Sequence, residues 1–583
     1  MQKYFLTGLK SASTLKDVAA ILGYKPHSLS YLLYKKSDAS KYKTFEIPKG
    51  FGGTRTICAP SDELKLLQRR LLELLQECKR EIDLKKDYPN RVSHGFELDR
   101  SIITNAKQHR NRRYVFNLDL EGFFSSIHFG RVRGFFIKDK NFLLQPRVAT
   151  VIAQISCFGN VLPQGSPSSP AISNLIAHVM DMHLVRLAEK NGCTYSRYAD
   201  DLTFSTNQRD FPSQIGLIKD GQSHVWMPGG ELERLIDYSG FRINEPKTRM
   251  QYHDSRQEVT GLVVNRKVNV RNEYRRTIRA MVHSLLSTDN FDLHVRLKDA
   301  NGKVVVSKEA GNIEKLHGML GFINSVDLYN NSLTEEDKTA VQMTVGKEAM
   351  YRRFLLYKWF YKADSPIIVC EGITDNIYLL HAIRSLSHTF PELASKQPDG
   401  TIKLKVRFFR YPQKSNGQMT STGRILGLTG GSACLGQLLL KYKDEAQRFN
   451  QTGKTYPVIL ILDNDSGASN VYSILKEITG AYADKDAAFV HAIANMYVIA
   501  TPRVNKQNSK IEDFFAQKDK DRKLNGKSFD DQNDFSAEAH YGKVDFAHKV
   551  VRANADDIDF SGFDGILKNI VSVIEHRAAQ PSK

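Results

Sequence analysis

Apolar positions near the start of the chain recur at helical spacing. Leu15, Val18, Ala19 and Leu22 follow Thr14-Leu15-Lys16-Asp17, and Thr and Asp three residues apart predict a capping box. Gly23 breaks this helix and Ser28 to Leu33 resumes it. The pair is read as packing on a larger domain rather than as a helix-turn-helix for DNA. Leu64 to Leu75 forms another amphipathic helix. At Tyr114 the period changes to that of a strand, which runs to Asp119. Thr194 to Thr206 predicts a hairpin with acidic residues at its tip, and Arg275 to Leu286 a basic helix. Leu297 to Val306 predicts a hairpin turning at Asn301-Gly302. Asn330-Asn331-Ser332-Leu333-Thr334 marks a boundary, and an aromatic-rich helix follows over Ala349 to Tyr361. Beyond Ser365-Pro366, apolar strands at Ile367–Cys370, Val458–Leu462 and Tyr497–Ala500 alternate with helical patterns. The expected organisation is a first domain over 1–330, a helical linker over 331–363, and a second domain over 364–583 that ends in a packed helix, Phe560 to Ile574.

Charge narrows the partners. The 583 residues carry 83 Lys+Arg against 64 Asp+Glu, a formal net charge of +19, which favours a polyanionic partner through counterion release. No apolar run approaches the length of a spanning helix, so no membrane partner is expected. The six cysteines lie far apart without a CxxC pair, which argues against a disulfide framework or a structural zinc module. The first residues lack the apolar core of a secretion signal, and a reducing cytoplasm is the expected setting.

The sharpest chemistry lies at Tyr198-Ala199-Asp200-Asp201. Two adjacent carboxylates in a hairpin repel each other unless cations neutralise them. Asp119 ends another strand upstream. Three carboxylates converging from neighbouring strands would hold two Mg2+ ions, one activating an attacking hydroxyl and one stabilising a leaving pyrophosphate.

The surrounding motifs carry a resemblance. Asp119-Leu120-Glu121-Gly122-Phe123-Phe124, Leu162-Pro163-Gln164-Gly165-Ser166-Pro167, Tyr198 to Asp201, and Gly240-Phe241-Arg242-Ile243-Asn244 with Lys247-Thr248 resemble reverse-transcriptase motifs A to D in order. Asn105-Ala106-Lys107-Gln108-His109 and Val259-Thr260-Gly261 are similar to the NAxxH and VTG signatures of retron enzymes. The resemblance implies an α+β right-hand polymerase with fingers, palm and thumb. It implies metal binding by Asp119, Asp200 and Asp201, and Lys247 near the leaving group. It places Arg55, Phe124 and Gln164 around the incoming nucleotide, with Phe124 excluding a ribose 2′-OH. It also implies RNA binding at Asn105, His109, Val259, Thr260 and Gly261, with a satisfied buried polar pair as the other reading of Asn105 and His109. The basic residues Lys107, Arg110, Arg112 and Arg113, and Arg266, Lys267, Arg271, Arg275, Arg276 and Arg279, cluster where phosphate contacts would position a structured RNA.

A second acidic set lies in the later domain. Glu371-Gly372 ends one apolar strand, with Asp375 just beyond, and Asp463-Asn464-Asp465 ends another. Open α/β sheets place their sites at this edge. The set resembles a Toprim domain, an α/β fold with a mainly parallel sheet. The resemblance implies metal at Glu371, Asp463 and Asp465. Asp375, and Asp513 in Lys510-Ile511-Glu512-Asp513-Phe514, are read equally as ligands or as helix caps. Residues after about 515 receive no chemistry.

The combined expectation is a retron reverse transcriptase fused to a Toprim nuclease. Its partners would be dNTPs, a cognate structured non-coding RNA, the branched DNA–RNA copied from it, and a nucleic-acid substrate for the Toprim site. Its cofactor would be Mg2+ at both sites. Family context implies antiphage defence. Two alternatives stay open: a non-catalytic Toprim-like assembly module, and an intron maturase. The number of copies of the chain is also open, a homo-oligomer included.

Overall fold

Strand alternation organises the first half of the chain. β1 (Tyr42–Pro48) and β2 (Thr54–Pro60) form an antiparallel hairpin. β3 (Tyr114–Asp119), β4 (Thr194–Tyr198) and β5 (Asp201–Thr206) join a four-stranded sheet. β6 (Gly216–Ile218) and β7 (Trp226–Pro228) form a small hairpin, and β8 (Arg249–Tyr252) completes the sheet in the order β4-β5-β3-β8, antiparallel throughout. The structure is a computed structural model, and it describes residues 5–48, 53–84, 92–221, 225–298, 304–332, 345–411, 421–450, 455–503, 506–532 and 536–580.

Successive residues of a strand face opposite ways. Phe116 and Leu118 of β3, and Leu202 and Phe204 of β5, join one apolar core with Ile172, Ile176 and Met180 of the helix Ser169–Lys190. Asn117, Asp119, Asp201, Thr203 and Ser205 share the opposite, polar face. There the Thr203 hydroxyl donates to Asn117 Oδ1 at 3.0 Å. The short hairpin β9 (Glu258–Val259) and β10 (Leu262–Val263) adjoins this region through the Asn117 amide, which donates to the Glu258 carbonyl.

The helices Leu15–Ile21 and Pro26–Ser30 bury Val18, Ala19 and Leu29 in the same core as Leu67 and Leu71 of the helix Asp62–Leu84. The capping box at Thr14 and Asp17 forms as expected. The apolar faces of this pair are therefore spent on the domain's own core.

Contacts divide the chain into two units. The first comprises Met1–Arg275, His294–Ser307 and Ser325–Glu335, and the second Arg276–Leu293, Lys308–Asn324 and Glu336–Lys583. β11 (Asp292–Lys298) pairs with β12 (Val304–Ala310); the expected Asn301-Gly302 turn lies outside the described residues, as do Leu333 and Thr334 of the expected boundary. In the second unit the helix Val345–Leu356 continues through Tyr361 and buries Phe354, Tyr357 and Phe360. Tyr357 donates its hydroxyl to Asp289 at 2.7 Å, so this segment is packed into the unit along with the end of the basic helix Asn272–Thr288.

The sheet of the second unit is built on β13 (Ile367–Cys370). After the hairpin β14 (Ala394–Lys396) and β15 (Ile402–Leu404) come β16 (Arg407–Phe408), β17 (Val458–Leu462), β18 (Val490–Ile493) and β19 (Met496–Ala500). The order is β16-β13-β17-β19-β18, parallel except for the edge strand β18. β13 and β17 are buried along their whole lengths, as strands covered on both faces must be. The terminal helix Asp564–Ala579 buries Ile566, Leu567, Ile570 and Val573 against Ile459, Ile461 and Ile499 of this sheet. Among the described residues no helix is long and apolar enough to cross a membrane.

Candidate functional site

Register brings the first acidic group together. Asp119 and Asp201 are direct partners across β3 and β5, and Asp200 sits in the two-residue turn between β4 and β5. The Leu120 amide donates to the Asp200 carbonyl at 3.0 Å, which fixes the turn against the end of β3. Asn244 ties in the next loop, its backbone N–H donating to the Asp119 carbonyl at 2.8 Å and its Nδ2 to Asp119 Oδ1 at 3.2 Å. Lys247 Nζ donates to the same Oδ1 at 2.8 Å.

The crowding is electrostatically costly. Surrounding protein, then Asp200 and Asp119, push the Asp201 carboxyl up to about 7, although its residue surface reaches solvent. Burial and Asp119 raise Asp200 in the same direction, opposed by Lys247 and Arg55. Arg55, exposed on β2, thus faces the acidic turn. Among the described residues no three acidic, His or Cys side chains close on one point as a ready-made cage, and Lys247 supplies the positive charge at Asp119. The donors nevertheless suit a divalent ion: they are hard oxygens on facing strands, carrying more negative charge than the local cations relieve.

Phe124 is half-buried, with its ring 5.4 Å from Phe123 and 6.2 Å from the exposed Phe96. The Gln164 carbonyl accepts from the Cys58 N–H at 2.8 Å and so docks its loop on β2. Gly165 has φ +116°, and a Cβ there would lie 2.9 Å from the Cys58 carbonyl oxygen, so this approach requires glycine.

Asn105 and His109, expected to contact RNA, are both 0% exposed and meet the second reading, a buried polar pair. Ser205 and Ser196 each lie 2.7 Å from a His109 ring nitrogen, and the Ser196 hydroxyl donates to Asn105 Oδ1 at 2.6 Å. These side chains fasten the helix Ile102–Lys107 to the polar face of the sheet. Val259 is likewise fully buried, and Thr260 donates to the Ile102 carbonyl; of the VTG residues only Gly261 is exposed. Arg275 is committed to a bidentate pair with Asp327, and Arg271 to Glu258. Lys107, Arg110, Arg113, Arg266 and Lys267 remain exposed.

Burial, then Arg112 and His94, push the His109 imidazole down to about 3. An unfolded chain takes up that proton near 6.5. The contribution to stability is therefore full above pH ~6.5 and drains away as pH falls toward 3. The expected loss across this window is about 3–5 kcal/mol. Melting curves of wild type and His109→Asn should diverge in pH dependence over that range, and parallel curves would contradict the assignment.

The second acidic group gathers at the C-terminal ends of β13 and β17. Glu371 accepts the Ser432 N–H on Oε1 at 3.1 Å and the Asp463 N–H on Oε2 at 3.2 Å. Asp463 Oδ1 accepts the Ile511 N–H at 2.8 Å. Asp375, which is buried, accepts the Gly372 N–H at 2.6 Å. Burial, then Asp375 and Glu512, push Asp463 up to about 8; burial and then Glu512 push Asp375 up to about 6. Asp465 accepts the Gly467 N–H at 2.8 Å and still raises Glu371 through charge, after burial.

Two further members of this group were not legible in the sequence. Asp513 is exposed and caps its own turn, accepting the Lys510 N–H at 2.8 Å; it does not join the acidic group. Its neighbour Glu512, 2% exposed, faces Asp375 and Asp463 instead. A single 3-10 turn rotates successive residues by about 120°, so only one of the two acids can point inward. Lys543 Nζ reaches Glu512 Oε2 at 3.1 Å, with Asp463 and Asp375 also raising its pKa. It comes from the polar stretch beyond 515, where nothing in the local pattern marks it.

The region that carries the first acidic group matches known proteins. A family model described as "Reverse transcriptase (RNA-dependent DNA polymerase)" matches residues 47–268. The chain is 33% identical to the retron Mx65 reverse transcriptase of Myxococcus xanthus over 49% of its own length and 66% of that protein's. It is 31% identical to the retron Mx162 reverse transcriptase of the same organism, over 57% of this chain and 69% of that one. With the retron Ec86 reverse transcriptase of Escherichia coli it shares 32% identity over 55% of this chain and 87% of that one. With Asp119, Asp200 and Asp201 assembled inside the matched region, the chain belongs to the retron reverse transcriptases.

Proposed function

We propose that the chain copies a cognate structured non-coding RNA into DNA at Asp119, Asp200 and Asp201, and cuts nucleic acid at the Glu371/Asp463 group in antiphage defence. The observation that carries the polymerase reading is the facing pair Asp119 and Asp201 with Asp200 at the adjoining turn. Divalent ions held there would activate the attacking hydroxyl and neutralise charge on the leaving pyrophosphate. The chain's own contribution is placement. Asp119 is fixed by Asn244 and Lys247, and Arg55 sets a positive charge facing Asp200. Lys247 is positioned to turn from Asp119 toward a leaving group, while Phe124 offers a ring for the incoming sugar. The exposed cations Lys107, Arg110, Arg113, Arg266 and Lys267 offer phosphate contacts, a role for which the buried Asn105 and His109 are unsuited.

The nuclease reading is supported by carboxylates from two parallel strands meeting with Glu512 and Lys543. Bound metal would activate water, and Lys543 would face charge developing on phosphate. Glu371, Asp463, Asp465 and Asp375 are the proposed ligands, with Glu512 in place of Asp513.

The test is purification from a host carrying the flanking DNA, followed by sequencing of the bound nucleic acid. One discrete RNA, joined through a 2′-OH to DNA copied from it, is expected. Only heterogeneous RNA without attached DNA would overturn the polymerase proposal.

A further inference from the structure

The turn that carries Asp200 is strained. Ala199 has φ +55°, a left-handed conformation at a hairpin position where glycine is usual. Such a conformation costs about 1–2 kcal/mol for an alanine and persists only where neighbours over-determine it.

Two neighbours do so. Gly95 presses on the turn from outside, and a Cβ there would fall 2.6 Å from the Ala199 nitrogen. The segment Val92–His94 runs along β4, with Arg197 N–H donating to the Val92 carbonyl and His94 N–H to the Arg197 carbonyl, both at 2.8 Å. From beneath, the Arg197 side chain reaches the turn and is 0% exposed. Its Nε and one Nη donate to the two oxygens of Asp181 at 2.8 Å each. The other Nη donates to Asn174 Oδ1 at 3.1 Å and to the Ala199 carbonyl at 3.0 Å.

We infer that Arg197 is a positioning residue for polymerisation. Its planar fork ties the strained Asp200 turn to Asn174 and Asp181 on the helix Ser169–Lys190, and so fixes where the Asp200 and Asp201 carboxylates stand. This rests on the polymerase reading of those aspartates. Stability does not account for the arrangement. A buried ion pair is often no better than a well-packed apolar pair, because desolvation offsets the attraction. An apolar pair cannot donate to the Ala199 carbonyl, and a lysine cannot reach three acceptors in one plane. Asn174 reinforces the clamp from the same helix, donating to the Gly95 carbonyl at 2.7 Å.

The test uses the full chain with its co-purified RNA. Arg197→Met alone would strand the Asp181 charge and fold poorly. The informative variant is therefore Arg197→Met with Asp181→Asn, which removes both charges and keeps an oxygen to accept from the buried Tyr195 hydroxyl, 2.9 Å from Asp181 Oδ1, compared with Arg197→Lys. The double variant should melt within a few degrees of wild type, keep its RNA, and hold KM for dNTP within about threefold. Its kcat should fall about 100-fold, as expected for a displacement of about 1 Å at the reacting groups. Arg197→Lys should stay folded and recover only part of kcat. A folded double variant with wild-type kcat, or a fully active Arg197→Lys should the double variant not fold, would overturn the proposal. Wild type is assayed alongside; if it makes no DNA, the polymerase reading fails and not the Arg197 assignment.

Discussion

Asp201→Asn is expected to remove DNA synthesis while making the metal-free protein more stable. Burial, then Asp200 beside it and Asp119 across the sheet, push this carboxyl up to about 7. An amide keeps the shape and loses the charge that divalent ions require. Loss of one such group removes several kcal/mol of transition-state stabilisation, about 10³–10⁴-fold in rate. Stability moves the other way. A carboxyl whose folded value lies above its unfolded value of about 3.9 stabilises the fold at low pH, and that contribution is lost as pH rises through 7. Asparagine does not titrate, so the variant's melting temperature should exceed that of wild type at pH 8 and converge with it near pH 4. Because Asp201 reaches solvent, screening limits the gain to about 1 kcal/mol. Saturating Mg2+ should stabilise wild type more than the variant. Retained synthesis, or a variant less stable than wild type at pH 8, would contradict this account of the site.

The features legible in the sequence were those written in short-range pattern. Strand period and adjacent acids located Asp119, Asp200 and Asp201; the β4–β5 hairpin is local, whereas the pairing with β3 that sets Asp119 opposite Asp201 joins segments some eighty residues apart. The β13 and β17 strands with acids at their ends were equally visible, because fully buried strands read as apolar runs. The partners of the polar signature residues were not. Asn105 and His109 can be read as RNA contacts or as a satisfied buried pair, and only the fold brings Ser196 and Ser205, some ninety residues away in the chain, to satisfy them. Arg197 carries no mark in the local pattern for the same reason: only the fold sets Asp181 and Asn174 around it. Lys543 is the extreme case, a lysine in a polar stretch whose meaning comes entirely from Glu512 across 31 residues.

Asp463→Asn is expected to abolish cleavage by the second unit while leaving DNA synthesis intact, and it separates the nuclease proposal from a binding module better than changes at Glu371. Both oxygens of Glu371 accept backbone N–H groups, from Ser432 and Asp463. A glutamine there would turn an NH2 toward one of those donors, and an unsatisfied buried group costs about 1–3 kcal/mol, so lost activity could mean lost structure. Asp463 differs. Its Oδ1 accepts from the Ile511 N–H, and an asparagine carbonyl can do the same. What asparagine removes is the charge that Asp375 and Glu512 oppose and that burial disfavours most, with the carboxyl pushed up to about 8. The variant should fold at least as well as wild type in the absence of metal, with the advantage growing as pH rises from about 4 to 8. Phosphodiester cleavage should fall by about 10³-fold or more, since a metal ligand contributes several kcal/mol to the reaction. Host toxicity should fall with it. A folded Asp463→Asn chain that still cuts nucleic acid and still harms its host would make the acidic group a structural or assembly feature, and the nuclease proposal would be abandoned.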